Sequence, residues 1–104
     1  MININTVNLI GRLAKEPNSR STSTGKSVCS FTLAVQNDFD REKADFINCT
    51  AWGKTAELIT QYVKKGHKMG LQGRISVRSW DDNGETKWTT EVVAEKIEFL
   101  ESKK

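Results

Sequence analysis

Polar and apolar residues alternate with a period of two through most of the chain, which is the pattern of β-strands that bury one face. The alternation predicts strands over roughly Thr6–Leu13, Val28–Gln36 and Asp45–Trp52. Two more are expected further along, over about Lys68–Ser79 and from near Trp88 onward. Polar stretches at Glu16–Lys26, Asn37–Lys43 and Asp81–Glu85 predict a loop and two turns, and Gly11 predicts a bulge or bend in the first strand.

One segment changes period and predicts the single helix. Apolar residues that include Ala56, Ile59 and Val63 form a helical stripe within Lys54–Lys65, and Gly66 supplies a stop signal. The order of three strands, a helix and two strands matches an all-β fold, the five-stranded OB-fold barrel, in which the helix plugs the barrel between strands three and four. A chain of 104 residues has room for one domain, predicted to span 1–104.

Side-chain parity assigns the large aromatic residues to faces of these strands, because successive strand residues point to opposite sides. In the fourth predicted strand the apolar side carries Met69, Leu71, Ile75 and Val77, with Gly73 between them. The opposite side carries Lys68, Gln72, Arg74, Ser76, Arg78 and Trp80. In the third strand, Phe46 and Trp52 lie opposite the apolar Ile47, Cys49 and Ala51.

These assignments divide the aromatic residues into two groups. Phe31, Tyr62 and Phe99 match the apolar pattern of their own elements and are expected in the core. Phe46, Trp52 and Trp80 instead fall on polar faces, where flat rings beside guanidinium groups suit stacked bases and bound phosphates. A protein–protein contact is the alternative, because tryptophan and arginine also dominate interface hot spots.

Composition narrows the class of protein. Sixteen Lys and Arg against 13 acidic residues give a net charge of +3, a mild preference for polyanions that depends on where the cations lie. The sequence has no apolar run long enough to span a membrane and no signal-peptide pattern at its start, so we expect a cytoplasmic protein.

Few residues suggest catalysis. Cys29 and Cys49 lack metal-ligand spacing and are expected to be buried thiols. His67 is the only histidine and is expected at the surface, and the acidic residues near position 40 have the spacing of a solvated turn. The sequence therefore predicts no enzyme activity, no metal and no cofactor.

Eight segments resemble one family in order and spacing. They are 8–13 (NLIGRL), 31–35 (FTLAV), 45–47 (DFI), 52–57 (WGKTAE), 62–66 (YVKKG), 73–74 (GR), 78–80 (RSW) and 90–94 (TEVVA). Together they make the chain similar to the bacterial and phage single-stranded-DNA-binding proteins. The resemblance implies an OB fold and sequence-independent binding of single-stranded DNA during replication, recombination or repair. It also implies a homotetramer built partly by pairing the first strands of two subunits.

The resemblance further implies the residues of the binding site. The stacking positions fall on Phe39, Phe46, Trp52, Trp80 and Trp88. The phosphate-contacting positions fall on Arg12, Lys54, Lys65, Arg74 and Arg78. RNA stays an alternative ligand, because stacking does not depend on the sugar.

The chain departs from the family pattern in two places. The second hairpin carries Asp38 and Asp40 beside Phe39, which should weaken its hold on phosphate, although Arg41 and Lys43 offset this in part. Family members that recruit replication and repair proteins end in a flexible linker and an acidic tail, whereas this sequence ends in Lys103 and Lys104. We therefore expect no recruitment of partners through the C-terminus.

Overall fold

The computed structural model describes residues 2–100, so the C-terminal lysines and the expectation based on them lie outside the described residues. Six strands and one helix follow in the order β1 Val7–Leu13, β2 Asn18–Ser21, β3 Ser27–Gln36, β4 Ala44–Trp52, α1 Gly53–Tyr62, β5 Lys68–Asp82 and β6 Glu85–Phe99. No helix within residues 2–100 is long and apolar enough to cross a membrane.

The strands form one sheet that closes on itself. Its order is β1-β5-β6-β4-β3-β2, and β1 also pairs with β3 through Arg12 opposite Ala34 and Leu13 opposite Leu33. All pairs are antiparallel except β4 with β6. The OB fold with its helix between the third and fourth predicted strands is thus confirmed.

Gly11 allows this closure. A Cβ atom at Gly11 would lie 2.5 Å from the carbonyl oxygen of Ala34, so only glycine lets β1 approach β3 this closely. The pairing of β1 with β5 runs without interruption from Val7 to Arg12. Of the bulge or bend expected at Gly11, the bulge is therefore absent, and the glycine serves close approach.

The core lies between the inward faces of the strands and α1. Leu13, Phe31, Leu33, Met69 and Leu71 fill it from the strands, and Ala56, Ile59 and Val63 close it from the helix and the residue after it. Cys29 and Cys49 are buried and free, as predicted. Burial raises the pKa of Cys49 to about 12, with a smaller contribution from the nearby charge of Glu91. The thiol is therefore protonated at neutral pH, and a protonated thiol is unreactive.

Two elements differ from the sequence prediction. β2 forms inside the predicted loop, because Asn18–Ser21 pairs with Ser27–Ser30 although all four of its residues are exposed. The helix ends at Tyr62, since Val63 is already extended. Gly66, with a φ of 89°, turns the chain between Lys64 and His67 and does not end the helix.

β5 and β6 continue past the barrel as a two-stranded ribbon, which we call the arm and define as residues 74–91. β1 pairs with β5 only as far as Gly73, and β4 pairs with β6 only from Val92. Between these limits the two strands pair with each other and turn at Asn83 and Gly84, both with positive φ. β5 and β6 are therefore longer than predicted, and the turn between them is tighter.

Candidate nucleic-acid interface

Phe46 and Trp52 lie on the outward face of β4. Cross-strand neighbours share a face of a sheet, so Ala34 of β3 lies beside Phe46, and Val28 lies beside Trp52. The exposed fractions are 67% for Phe46 and 48% for Trp52. Both rings are thus presented to solvent, as their parity predicted.

The arm has two different faces. Trp80 lies opposite Lys87, and Arg78 opposite Thr89, so these four residues share one face, which also includes Arg74 and which we call the cationic face. Trp88 lies opposite Ser79 and therefore points to the other side. That side, the apolar face, also carries Ile75 and Val77, both exposed. The structure separates the two tryptophans of the arm.

A hydrogen bond joins the cationic face to β4. Thr50 shares the outward face of β4 with Phe46 and Trp52, and its hydroxyl donates to Glu91 Oε2 at 3.0 Å. Glu91 lies on the cationic face, where Arg78 Nε is 3.4 Å from its Oε1. Phe46, Trp52, Arg74, Arg78 and Trp80 therefore belong to one continuous surface, which we call the stacking face.

Ion pairs reduce the positive charge of this surface. Arg74 Nε lies 3.6 Å from Glu95 Oε2, and Lys87 Nζ lies 3.1 Å from Asp82 Oδ2. With the Arg78–Glu91 pair, each of these cations on the arm has a carboxylate partner. A polyanion that binds here must compete with those carboxylates. We therefore expect the exposed rings of this face to contribute more to binding than its net charge does.

Phe39 lies at the tip of the β3–β4 loop, and its side chain is fully exposed. Asn37 Oδ1 shapes the loop by accepting hydrogen bonds from the N–H groups of Phe39 and Asp40, at 2.8 and 3.1 Å. Asp40 Oδ1 in turn accepts from the N–H of Glu42 at 3.1 Å. The loop thus uses Asp40 as a structural residue and holds the ring of Phe39 fully exposed.

The remaining cations predicted for the site are more scattered. Lys54 is exposed in the first turn of α1, two residues after Trp52. Arg12 Nη1 donates to the carbonyl of Gly66 at 2.9 Å, at the far edge of β1. Lys65 lies in the same turn as Gly66, with its backbone N–H donating to Glu16 Oε1 at 3.3 Å. Arg12 and Lys65 therefore lie beside β1 and away from the arm.

The histidine of the chain makes a structural contact. His67 is half-buried, and its Nδ1 accepts from the N–H of Lys64 at 3.2 Å. Among residues 2–100, no group of three or more His, Cys, Asp or Glu side chains is arranged to hold a metal ion.

Tyr62 and Phe99 are a correction to the expected core. Each is more than two-fifths exposed, and their rings pack against each other with centroids 5.8 Å apart and planes at 58°. Both lie where their element ends, so the apolar pattern places them at the rim of the core and not inside it.

Comparison with known proteins identifies the family. The model of the single-strand binding protein family matches residues 4–100. The chain belongs to this family.

Three of its relatives within the family have names that describe binding to single-stranded DNA. The chain is 46% identical to single-stranded DNA-binding protein 2 of Listeria monocytogenes, over 96% of this chain and 66% of the relative. It is 45% identical to single-stranded DNA-binding protein 1 of Clostridium acetobutylicum, over 97% of both chains. It is 47% identical to the single-stranded DNA-binding protein of Halalkalibacterium halodurans, over 94% of this chain and 61% of the relative. The chain thus spans about two thirds or less of two relatives and nearly all of the third.

Two cations that lie beside the rings, Arg20 and Lys87, were not predicted from the sequence of this family member. Arg20 of β2 lies opposite Val28, which lies opposite Trp52, so all three share the outward face. Lys87 lies opposite Trp80. Both belong to stretches that the sequence left outside strands, because neither stretch has an apolar alternation. Glu91 was not predicted either. The available signal was its parity, because Glu91 and the apolar Val92 are neighbours in the final strand and point to opposite faces.

Proposed function

We propose that this chain binds single-stranded DNA without sequence preference and without catalysis. Bases stack on Phe46, Trp52 and Trp80, while Arg74 and Arg78 contact phosphates. The single observation that carries the proposal is the Thr50–Glu91 hydrogen bond, which makes the rings of β4 and the arm parts of one surface. Every base has a flat π-face, so a row of exposed rings accepts any sequence.

Arg74 and Lys87 suit this ligand because their carboxylate partners, Glu95 and Asp82, are exposed enough to be exchanged. A phosphate that displaces Glu95 from Arg74 gains a charge-assisted hydrogen bond and leaves the glutamate in water. Lys54 extends the cationic surface beside Trp52, and Phe39 extends the ring surface at the loop tip. Trp88, which the resemblance assigned to stacking, lies on the other face of the arm, so the proposed path of the strand makes little use of it.

The proposed role is the protection of single strands during replication, recombination or repair, in the cytoplasm where such strands arise. The names of the relatives, which describe single-stranded DNA binding, support it.

We infer that the chain assembles as a homotetramer in which β1 of one subunit pairs with β1 of another. Along one edge, β1 pairs with β3 only at Arg12 and Leu13, which leaves the edge from Val7 to Gly11 without a strand partner among residues 2–100. Ile10 on this strand is 59% exposed. A second subunit would cover both the open edge and this side chain. Sedimentation should give a tetramer at micromolar concentration, and a stable monomer would contradict the inference.

Competition with labelled poly(dT) tests the proposed ligand. Unlabelled single-stranded DNA of any base composition should displace the label, and duplex DNA should not. Poly(rU) that competes as well as poly(dT) would assign the site to single strands of either sugar. Failure of poly(dT) to bind at low salt would overturn the proposal and favour a protein partner for the exposed rings.

A further inference from the structure

An acidic side chain lies within the cationic face of the arm. Glu91 lies opposite Ser76, one position from Arg78 along this face. The exposed fraction of its side chain is 15%, against 56% for Glu95 and 46% for Asp82, the carboxylates of the other two ion pairs. An enclosed anion on a surface proposed to bind a polyanion needs a physical reason.

Both carboxylate oxygens of Glu91 have partners. Oε2 accepts a hydrogen bond from the Thr50 hydroxyl at 3.0 Å, and Oε1 lies 3.4 Å from Arg78 Nε. Thr50 is only 6% exposed, so a glutamate that turned into water would leave a buried hydroxyl without its acceptor. Glu91 is therefore held in place and, unlike the exposed Glu95, does not exchange readily for a phosphate.

The contact with Glu91 leaves most of the Arg78 guanidinium available to a ligand. The ion pair is made at Nε, and the side chain of Arg78 is 65% exposed. A guanidinium has five N–H donors in a fixed fork, and four of them belong to the two Nη nitrogens. A phosphate can therefore bind at the Nη atoms while Nε stays paired with Glu91.

An arginine that is ordered before binding loses less freedom when a phosphate arrives. Ordering one long side chain on binding costs roughly two- to tenfold in affinity. Glu91 restricts Arg78 in the free protein, and Thr50 ties Glu91 to β4, which also carries Phe46 and Trp52. The cation is therefore held at a set position relative to the stacking rings.

We propose that Glu91 is a positioning residue for the binding of DNA. It stays paired with Arg78 in the complex and directs the Nη groups of Arg78 toward a phosphate of the strand. This inference rests on the proposed function, because it explains how one cation of the same site is oriented. Glu91 thereby favours the binding of a polyanion despite its own negative charge.

Glu91→Gln tests the inference through the sign of its effect. Glutamine has nearly the same shape, but the variant lacks the charge that holds Arg78. Binding of oligo(dT), measured by fluorescence anisotropy at low salt, should weaken roughly two- to tenfold. The log–log salt slope should become shallower by up to about 0.7, the value for one phosphate. Glu95→Gln is the matched control, because it removes the same charge from an exposed partner of Arg74 and should tighten binding.

Variants of Thr50 and a double variant separate positioning from a general loss of structure. Thr50→Val removes the hydroxyl that anchors Glu91 without changing the charge of the protein, and it should weaken binding by less than Glu91→Gln does. Thr50→Ser keeps a hydroxyl and should recover most of the affinity. In an Arg78→Gln background, Glu91→Gln should cause no further weakening, because Glu91 acts through Arg78. Thermal melting checks that each variant folds.

The outcomes distinguish this inference from the proposed function. If the wild-type protein does not bind oligo(dT), the proposed function fails, and the positioning role fails with it. If the wild-type protein binds and Glu91→Gln binds as tightly or more tightly, Glu91 does not position Arg78, and only this inference is overturned. Weakening by Glu91→Gln that persists in the Arg78→Gln background would also overturn it, since Glu91 would then act without Arg78.

Discussion

The two faces of the arm show how one ribbon can carry two surfaces of different chemistry. The cationic face continues the outward face of the barrel, since Arg74 lies opposite Val93, which lies opposite Thr50. The apolar face continues the inward face, since Ile75 lies opposite the buried Val92. Between Gly73 and Val92, no third strand among residues 2–100 pairs with either strand of the arm, so residues with the pattern of a core become exposed.

The two tryptophans of the arm differ in the residues that surround them. Trp80 has Lys87 beside it and Arg78 two residues before it, whereas Trp88 shares its face with Ile75 and Val77. Within residues 74–91, no lysine or arginine lies on the side of Trp88. Exposure alone would favour Trp88, at 66% against 47% for Trp80, but the cations favour Trp80 as the ring that binds a charged strand.

The largest expected effect is on the junction between barrel and arm. A Cβ atom at Gly73 would overlap the carbonyl oxygen of Val93, which is backbone and cannot rotate away. Gly73→Ala should therefore lower the free energy of unfolding by about 3 kcal/mol or more in urea denaturation. Gly70→Ala is the matched control, because its nearest contacts would be an ordinary 3.6 Å, and it should cost less than about 1 kcal/mol. Equal losses would mean that Gly73 does not fix the register of the arm.

Replacing one tryptophan at a time compares the two faces directly. Trp80→Ala should weaken binding of oligo(dT) by roughly 1–3 kcal/mol, a range known for proteins that stack single strands, this family among them. Trp88→Ala should cost less than about 0.5 kcal/mol, because no cation on its face holds the strand against it. Fluorescence anisotropy of labelled oligo(dT) measures both, with unchanged thermal melting as the check on folding. A larger loss for Trp88→Ala would reverse the assignment of the faces.

The charge of the cationic face should appear in the salt dependence. Arg78→Gln should make the log–log slope of affinity against salt shallower by about 0.7, the value for one phosphate on a single strand. Lys26→Gln removes the same charge from the β2–β3 turn and should leave the slope unchanged. A slope that Arg78→Gln does not alter would mean that Glu91 keeps Arg78 from the phosphate.

A smaller effect of opposite sign is expected for the carboxylate partner of Arg74. Glu95→Gln removes an anion that lies beside the cationic face, and it should tighten binding by about 0.2–1 kcal/mol at low salt, since the ion pair that it breaks is exposed. Glu57→Gln, on α1, controls for net charge. Weaker binding by Glu95→Gln would show that the glutamate positions Arg74 for the phosphate.

Local pattern was sufficient to predict part of the candidate surface. Phe46, Trp52 and Trp80 were assigned to outward faces because parity within one strand depends only on neighbouring residues. β2 was not predicted, because 18–21 (NSRS) lacks apolar residues and pairs only through the backbone that β3 supplies. Arg20 was missed with it.

The side of Trp88 depends on the length of one turn. A five-residue loop over Asp81–Glu85, as the sequence suggested, would pair Trp80 with Thr86 and Trp88 with Arg78, which puts both tryptophans on one face. The structure has a two-residue turn, so Trp80 pairs with Lys87 and the faces are exchanged. A register shift of one residue is enough to do this, and it is decided by the positive φ of Asn83 and Gly84.

Three proteins that each keep one tryptophan show directly which face of the arm binds the strand. Phenylalanine replaces the other two tryptophans in each, so that emission on adding poly(dT) reports from Trp52, Trp80 or Trp88 alone. We expect strong quenching of Trp52 and Trp80 at saturation and little change in Trp88. Strong quenching of Trp88, with Trp52 and Trp80 unaffected, would contradict this expectation.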